Sequence, residues 1–268
     1  MTTNNKSINL LWTGGLDSSF RLLELLLIQK KSVQPYYVYD RRRSSMSMEL
    51  KAMEKIRELI FEKDKNSKTL LKPTIFKELS EIKPNTSITQ TYQRVYSDYS
   101  IGIQNEWLAR FAEETNITDL ELSIEARVNV THPFNGVVLA NLDTEKDGDY
   151  YNYKLQNNPS YPDLSLFKNF RFPLIKRTKT QMLKIAKEHD FMDILQHSWF
   201  CHSPVNQKPC GICKPCTIAI GEGLWKRIPV YGLFRYIKVH TIRPLIYKDL
   251  QSGKRELTLP LKRILRMN

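Results

Sequence analysis

The alternation of apolar and polar positions along the chain predicts strands separated by helices. Four short apolar runs have the length and flanks of buried strands: 7–12, 33–39, 69–76 and 119–124. Apolar residues recur at helical spacing in 44–63 and 104–114. Because strands that alternate with helices favour parallel pairing, we predict an α/β fold with a doubly wound, mostly parallel, Rossmann-like sheet.

A glycine-rich loop follows the first predicted strand and precedes a run of leucines at helical spacing. A strand, such a loop and a helix place backbone N–H groups at a helix N-terminus, where they face an anion. Asp17 suits a magnesium ligand or a cap for the helix. We therefore predict a nucleotide-binding loop formed by Thr13, Gly14, Gly15, Leu16, Asp17, Ser18 and Ser19.

Two other phosphate-binding motifs do not fit this loop. A Walker loop requires a lysine after the glycines, and a dinucleotide fingerprint requires a third glycine. Both are absent from residues 13–19. The alternative without a ligand is a Gly-Gly turn before a helix capped by aspartate.

All four cysteines of the chain fall within 16 residues, in the pattern C-x8-C-x2-C-x2-C. They are Cys201, Cys210, Cys213 and Cys216. Two overlapping C-x2-C steps bring thiolates close enough to share one tetrahedral ion, so we predict a structural zinc site. An iron–sulfur cluster is the main alternative, and a redox pair or free buried thiols are the others. His202 is not assigned to the metal.

Together these motifs resemble those of a known family. Residues 13–18 are similar to the pyrophosphate loop Ser-Gly-Gly-x-Asp-Ser of the N-type ATP pyrophosphatases, or PP-loop superfamily, with Thr13 in place of the first Ser. Combined with the cysteine pattern, this loop resembles that of the 7-cyano-7-deazaguanine synthases. Segments near Tyr161, Pro173 and Trp199 extend the resemblance over about residues 7–225.

The middle of the chain departs from the family pattern. Residues 39–43 read Tyr-Asp-Arg-Arg-Arg where the family has Tyr-Gly-Gln-Arg-His, and Leu164 stands where a cysteine is expected. Residues 127–159 are longer than the family's connection and are interpreted as an inserted loop. Much of the substrate pocket should come from these regions, so the resemblance covers ATP use better than it covers the acid substrate.

The resemblance implies an adenine nucleotide alpha hydrolase-like fold and an ATP-dependent ligase. Such an enzyme adenylates the carboxylate of 7-carboxy-7-deazaguanine, a deazapurine acid, and uses ATP, magnesium and zinc. Asp17, Ser18 and Lys179 would be catalytic. Lys179 begins a helix, where its charge opposes the helix dipole, and without the resemblance it is most simply a solvated residue.

Four further residues are predicted to contribute to the pocket. Asp40 and Glu125 follow predicted strands, and ligands bind beyond the carboxyl ends of strands in such sheets. Asp40 is assigned to the nucleotide and Glu125 to the substrate. The resemblance adds Tyr161 and Asp163 to the substrate contacts. For Asp40 and Glu125, solvent-facing loop positions are the alternative.

Several reactions follow from this interpretation. Ammonia as the nucleophile would give the amide, and a second ATP would then dehydrate the amide to the nitrile, 7-cyano-7-deazaguanine. An amine of a partner protein would give an amide bond, as in relatives from antiviral defence operons. A tRNA-modifying PP-loop enzyme and a nucleotide-binding module without activity are further alternatives. A homodimer is expected by resemblance only.

Charge is concentrated at the end of the chain. The 268 residues contain 41 Lys and Arg against 28 Asp and Glu, which gives a net charge of +13. Residues 226–268 hold eleven basic residues and two acidic ones, so 11 − 2 = +9 of that charge lies there. Such a segment suits an acidic protein surface or nucleic acid. The alternative is the solvated face of a small β-hairpin.

We accordingly divide the chain into an α/β domain at 1–198, a zinc-binding segment at 199–225 and a basic extension at 226–268. No apolar run approaches the roughly 20 residues of a membrane span, and the first residues lack the apolar stretch of a secretion signal. Four cysteines are too few for a disulfide scaffold in a chain of this length. We expect a cytoplasmic protein with no membrane partner.

Overall fold

The structure is a computed structural model and describes residues 6–126, 133–148 and 150–242. The chain divides into two units, one within 1–42 and 49–199 and the other within 43–48 and 200–268. Within the described ranges, no helix combines the length and the apolar character needed to cross a membrane.

The first unit is built on a seven-stranded sheet with the order β3-β2-β1-β4-β7-β6-β5. The five strands from β3 to β7 in that order pair in parallel, and β6 and β5 pair antiparallel at one edge. The chain places β2 and β3 on one side of β1 and all later strands on the other side, which confirms the doubly wound, mostly parallel sheet. The strands are β1 Ile8–Leu11, β2 Val33–Tyr39, β3 Ile75–Glu78, β4 Leu120–Glu121, β5 Leu142–Asp147, β6 Tyr150–Leu155 and β7 Phe170–Arg171.

Helices connect most of the successive strands, and their apolar faces form the core with the sheet. The largest fully buried side chains belong to strands and helices alike, among them Trp12, Phe20, Phe111 and Phe170. In the first unit the helices are α1 Leu16–Leu23, extended by a π-helical turn at Glu24–Ile28, α2 Met46–Lys63 (its first turn in the second unit), α3 Ser67–Leu70, α4 Thr86–Tyr99, α5 Gln104–Glu114, α6 Pro133–Ala140, α7 Lys179–Glu188 and α8 Met192–Leu195.

The clearest apolar patterns predicted their elements well. β2 and α5 have the predicted bounds, and α2 begins two residues after the predicted start. The single strand predicted at 69–76 is wrong, because α3 and β3 share this region. Asp64 accepts hydrogen bonds from the backbone of Asn66 and the hydroxyl of Ser67, and these contacts start a helical turn before the strand.

Helix α4 was not predicted, since its sequence is rich in Thr, Ser, Gln and Tyr and has a narrow apolar stripe. Only Tyr92 and Val95 of this helix are buried. Its start is marked by Asn85, whose side chain accepts a hydrogen bond from the Ile88 backbone at 3.1 Å. This capping contact is a local signal that the sequence carries.

The inserted segment at 127–159 is not simply a loop. Of its described residues, 133–140 form α6, and β5 and β6 form an antiparallel hairpin. Lys154 of β6 pairs with Arg171 of β7, so the hairpin extends the sheet at its edge. Residues 127–132 and 149 lie outside the described residues.

A buried group of charged side chains joins α1, β4 and the segment before α7. Arg21 contacts Glu24 at 2.7 Å and Glu121 at 2.8 Å, and Glu24 also pairs with Arg177. Burial by itself would lower the pKa of Arg21, but the two carboxylates outweigh it and hold that pKa above its usual value. Asn152 donates a further hydrogen bond to Glu121 at 2.8 Å.

We expect Asp119→Asn to remove part of the pH dependence of stability. Lys6 and Asn9 donate to the Asp119 carboxylate at 2.6 Å each. Burial would raise the pKa of Asp119, and these hydrogen bonds outweigh it, so the pKa lies below its ordinary value. A depressed pKa stabilises the fold above the unfolded value of about 3.9, and this contribution is lost as pH falls through the folded value.

Denaturant unfolding of both proteins at neutral and acidic pH checks this prediction. The wild type should be more stable than Asp119→Asn at neutral pH, and the difference should shrink below about pH 4. Asp190→Asn is the matched control, because the Asp190 side chain is 95% exposed. A difference between wild type and Asp119→Asn that stays constant with pH would contradict the assignment.

Candidate nucleotide site and metal centre

The glycine-rich loop connects the carboxyl end of β1 to the N-terminus of α1. Gly14 has a φ of +69°, a conformation that favours glycine. The Trp199 backbone N–H donates to the Gly14 carbonyl at 2.7 Å. A Cβ on Gly14 would lie 2.8 Å from the Glu49 carbonyl oxygen, so this position has no room for a side chain.

The first turn of α1 has no side-chain cap. Gly15 is the N-cap residue, with φ −72° and ψ 164°, and it makes no side-chain capping hydrogen bond. By contrast, Asn85 caps α4 and Thr178 caps α7. Asp17 is the second residue of α1, so it does not occupy the N-cap position. Uncapped N–H groups at a helix N-terminus attract an anion.

Two hydroxyl groups of the loop lie next to each other, and a third links the loop to the end of β1. Ser18 Oγ lies 3.3 Å from both the backbone nitrogen and the Oγ1 of Thr13. Ser19 is fully buried and accepts a hydrogen bond from the Trp12 indole at 3.1 Å. Ser19 therefore joins the end of β1 to α1, while Thr13 and Ser18 form a pair of hydroxyls within the loop.

The structure brings Lys179 and Glu125 together, although 54 positions separate them in the sequence. Lys179 Nζ lies 2.9 Å from Glu125 Oε1, and the side chains are 20% and 7% exposed. Glu125 follows β4 and Lys179 is the first residue of α7. A capping box formed by Thr178 and Gln181 holds this helix start. The pair therefore lies beyond the carboxyl end of β4, on the side of the sheet where ligands bind in such folds.

Asp40 also lies beyond a strand, directly after β2. Its carboxylate accepts two hydrogen bonds from the Arg42 guanidinium, at 2.9 and 3.0 Å, and one from the Arg42 backbone at 3.0 Å. A nucleotide contact at Asp40 would therefore compete with an existing bidentate ion pair.

Tyr161 and Asp163 have their polar partners on α4. The Tyr161 hydroxyl donates to Asp98 at 2.7 Å, and Arg94 donates to both oxygens of Asp163, at 2.7 and 2.9 Å. Burial, the larger cause, and the hydrogen bond to Asp98 both raise the pKa of Tyr161. These contacts anchor the segment before β7, and the assignment of both residues to the substrate stays a prediction.

Sequence reasoning missed the residues that support this edge of the sheet. Glu24 pairs with Arg177, and the Arg177 carbonyl accepts from the Ala126 backbone at 2.8 Å. The segments that carry Glu125 and Lys179 are therefore tied to each other and to α1. The available signal was the pair of charges at Arg21 and Glu24, which interrupt the apolar run of α1.

The four cysteines converge in the second unit, and their sulfur atoms all lie within 4.8 Å of one another. Two of the sulfur pairs are 3.9 Å and 3.8 Å apart, Cys210 to Cys216 and Cys213 to Cys201. Four sulfurs placed tetrahedrally at about 2.3 Å from zinc are separated by about 3.8 Å. The cluster therefore fits a zinc site.

Backbone N–H groups point at the sulfur atoms. Cys210 N donates to Cys201 Sγ at 3.2 Å, and Cys213 N donates to Cys210 Sγ at 3.3 Å. Hydrogen bonds from neighbouring thiols lower the pKa of Cys213, and the same contact raises the pKa of Cys201 to about 12. The backbone donors suit thiolate sulfurs, the form that binds metals.

The second unit also contains α9, Lys214–Gly221, and α10, Val230–Ile237, which a π-helical turn at Lys238–Ile242 extends. The segment that carries the four cysteines, residues 201–216, is called the metal-binding loop here because its sulfurs fit a metal. Helix α10 packs closely on it: a Cβ on Gly211 would lie 1.9 Å from the Gly232 carbonyl oxygen. The Tyr231 hydroxyl lies 2.9 Å from the Val205 carbonyl. The β-hairpin alternative for the extension is therefore wrong at 230–242, and residues 243–268 lie outside the described residues.

Comparisons with known proteins add little to these observations. No protein-family model and no curated protein matches the chain. Among solved structures, it is similar to NMN synthetase from Francisella tularensis, with a TM-score of 0.36 and 12% identity over 96% of this chain and 89% of that one. So weak a similarity carries no functional argument, and the fold assignment rests on the sheet order of the chain itself.

Proposed function

We propose that this protein is an ATP-dependent ligase of the PP-loop type. The observation that carries the proposal is the loop at 13–19, where Gly14 needs a positive φ and the first turn of α1 has no side-chain cap. This arrangement suits the β- and γ-phosphates of ATP. The similarity of residues 13–18 to the pyrophosphate loop supports ATP over other anions.

The roles of the loop residues follow from chemistry. Backbone N–H groups of Gly15 and Leu16 and the hydroxyls of Thr13 and Ser18 would bind the phosphates. Asp17, in the first turn of α1, would hold magnesium, which when bound spreads the negative charge of the phosphates. Lys179 would exchange its contact with Glu125 for a phosphate oxygen.

The acid substrate we propose is 7-carboxy-7-deazaguanine. A carboxylate oxygen attacks the α-phosphorus, the bond to the bridging oxygen breaks, and pyrophosphate leaves. A nitrogen nucleophile then attacks the acyl carbon, loses a proton and displaces AMP. We assign Glu125, Tyr161 and Asp163 to the acid and Asp40 to the nucleotide. All four cysteines lie in one cluster, so none is left to release ammonia from glutamine, and we therefore propose free ammonia as the nucleophile.

The organisation into three functional parts, at 1–198, 199–225 and 226–268, and assembly as a homodimer belong to the same proposal. The basic extension would bind an acidic partner.

Mass spectrometry of a reaction with ATP, magnesium, ammonium and 7-carboxy-7-deazaguanine tests the function. Nitrile, or amide with AMP, is the expected result. Adenylate without nitrile or amide would support the ligase activity and would indicate that the acceptor is an amine of a partner protein. Absence of AMP with this acid, together with absence of pyrophosphate exchange, would overturn the proposal.

We expect Lys179→Ala to lower kcat about 100-fold, since a cation placed next to developing charge contributes on this scale. The measurement is AMP formation under saturating ATP. Lys184→Ala is the matched control on the same helix, because Lys184 is 75% exposed and pairs only weakly with Glu188. If Lys179→Ala and Lys184→Ala have the same kcat, Lys179 has no part in the reaction.

A further inference from the structure

Helix α10 exposes a row of large apolar side chains. Val230, Phe234 and Ile237 are 70%, 68% and 46% exposed. Their spacing of four and three residues places them on one face of the helix. Trp225, in the turn before α10, is also 50% exposed. A contiguous apolar surface of this kind marks an interaction site.

The opposite face of α10 has a partner within the second unit. Gly232 is buried, and the Tyr231 hydroxyl lies 3.2 Å from the Pro209 carbonyl. The helix is thereby held on the metal-binding loop in a defined orientation. Helix α10 therefore has a fixed position in the second unit, and its other face is exposed in that position.

The sequence of α10 and of the turn before it is cationic. No acidic residue occurs from Gly223 to Ile242, whereas this stretch contains Lys226, Arg227, Arg235 and Lys238. The Arg227 guanidinium lies 4.9 Å from the centre of the Phe200 ring, and burial lowers its pKa. Lys226 is exposed. A partner for this face must therefore combine an apolar interior with negative charge.

We propose that α10 docks peripherally on an anionic lipid surface. The face defined by Val230, Phe234 and Ile237 would enter the boundary between headgroups and acyl chains. Lys226, Arg235 and Lys238 would contact lipid phosphates, whereas Arg227 stacks on Phe200. Trp225 suits the interface, where tryptophan is enriched. This proposal departs from the sequence-based expectation of no membrane partner. Peripheral binding needs no spanning helix, so it does not require an apolar run of about 20 residues. It is independent of the proposed ligase activity.

Other occupants fit the face less well. Nucleic acid would be attracted by the charge, but the aliphatic side chains of Val230 and Ile237 offer no stacking surface and no hydrogen bonds to bases. A second copy of the chain would place two basic surfaces against each other, and like charges oppose such contact. A lipid surface satisfies both the apolar face and the charge.

Co-sedimentation of the full chain with lipid vesicles tests the proposal. We expect binding to vesicles of mixed phosphatidylserine and phosphatidylcholine, little binding to phosphatidylcholine alone, and weaker binding as salt rises. Tryptophan fluorescence should shift to shorter wavelength on binding as Trp225 leaves water. Phe234→Ser should weaken binding at least about 10-fold, and Lys226→Glu about fivefold or more.

The matched control is Ile103→Ser, which replaces an apolar side chain that is 62% exposed in the first unit. It should bind vesicles as the wild type does. Phe234→Ser should keep the metal content and circular dichroism of the wild type, because Phe234 is mostly exposed. A loss of binding with the fold intact is then attributable to the face itself.

Three results would overturn the proposal. Equal binding by wild type and Phe234→Ser would show that the apolar face takes no part. Absence of binding to the anionic vesicles, with self-association of the wild type that Phe234→Ser abolishes in analytical ultracentrifugation, would assign the face to a second copy. Absence of vesicle binding, with salt-sensitive binding of a single-stranded RNA oligonucleotide, would assign the charge to nucleic acid.

Discussion

Replacing Gly14 with alanine is expected to lower ATP-dependent turnover about 100-fold or more, the scale of loss when reacting groups are displaced by about 1 Å. The φ of +69° costs about 1–2 kcal/mol for a residue with a Cβ. The added Cβ would also lie 2.8 Å from the carbonyl oxygen of Glu49 and 3.0 Å from Met53. A backbone oxygen cannot move away by changing rotamer, so the loop itself must shift.

Pyrophosphate exchange and AMP formation measure the effect, and thermal unfolding shows whether the fold survives. Gly136→Ala is the control, since no atom lies within 4 Å of the position its Cβ would occupy and a helix favours alanine. We expect this control to have wild-type turnover. Wild-type turnover in folded Gly14→Ala would mean that the loop does not hold the reacting phosphates.

Loss of the metal is expected to unfold most of the described part of the second unit. Metal binding free energy contributes to folding, because the unfolded chain does not preform the site. A ligand present at about 1,000 times its dissociation constant stabilises by about 4 kcal/mol. In a chain of this size that corresponds to a fall in the midpoint of thermal unfolding of about 8–16 °C.

Cys213→Ser and treatment with a chelator both test this prediction. Metal analysis should find one zinc per chain in the wild type and a large loss in Cys213→Ser, together with loss of helical signal from α9 and α10. His202→Ala, next to Cys201 in sequence, is the control and should keep its zinc. Iron and sulfide in place of zinc would identify an iron–sulfur cluster, and a wild-type midpoint for Cys213→Ser would contradict a structural metal.

Local sequence patterns were sufficient to predict the elements on either side of the glycine-rich loop. β1, the loop and α1 follow one another within 16 residues, so their order and chemistry can be read without knowledge of distant contacts. The same holds for β2 and α5, whose periodicities are strong, and for the cysteine cluster, whose spacing alone brings thiolates together. Each of these features depends on contacts between residues close in sequence.

The other features of the fold and of the candidate site depend on contacts between residues far apart in the sequence. The pairing of Lys179 with Glu125 depends on the backbone contact of Ala126 with Arg177, which brings the start of α7 to the segment after β4. The pairing of Arg21 with Glu121 joins residues 100 positions apart. The hairpin of β5 and β6 is formed by polar strands, and only the pairing of β6 with β7 attaches it to the edge of the sheet. No local periodicity encodes such neighbours, because they are determined by how the elements pack.

The amino-acid sequence by itself therefore determined the sheet type, the glycine-rich loop and the four-cysteine cluster, because turn geometry, side-chain periodicity and ligand spacing are local properties. Only the tertiary structure decided that Gly14 lies against Glu49, that Asp40 is held by Arg42, and that α10 has one face on the metal-binding loop and the other exposed. These features depend on the approach of separate segments, which burial and electrostatics determine together.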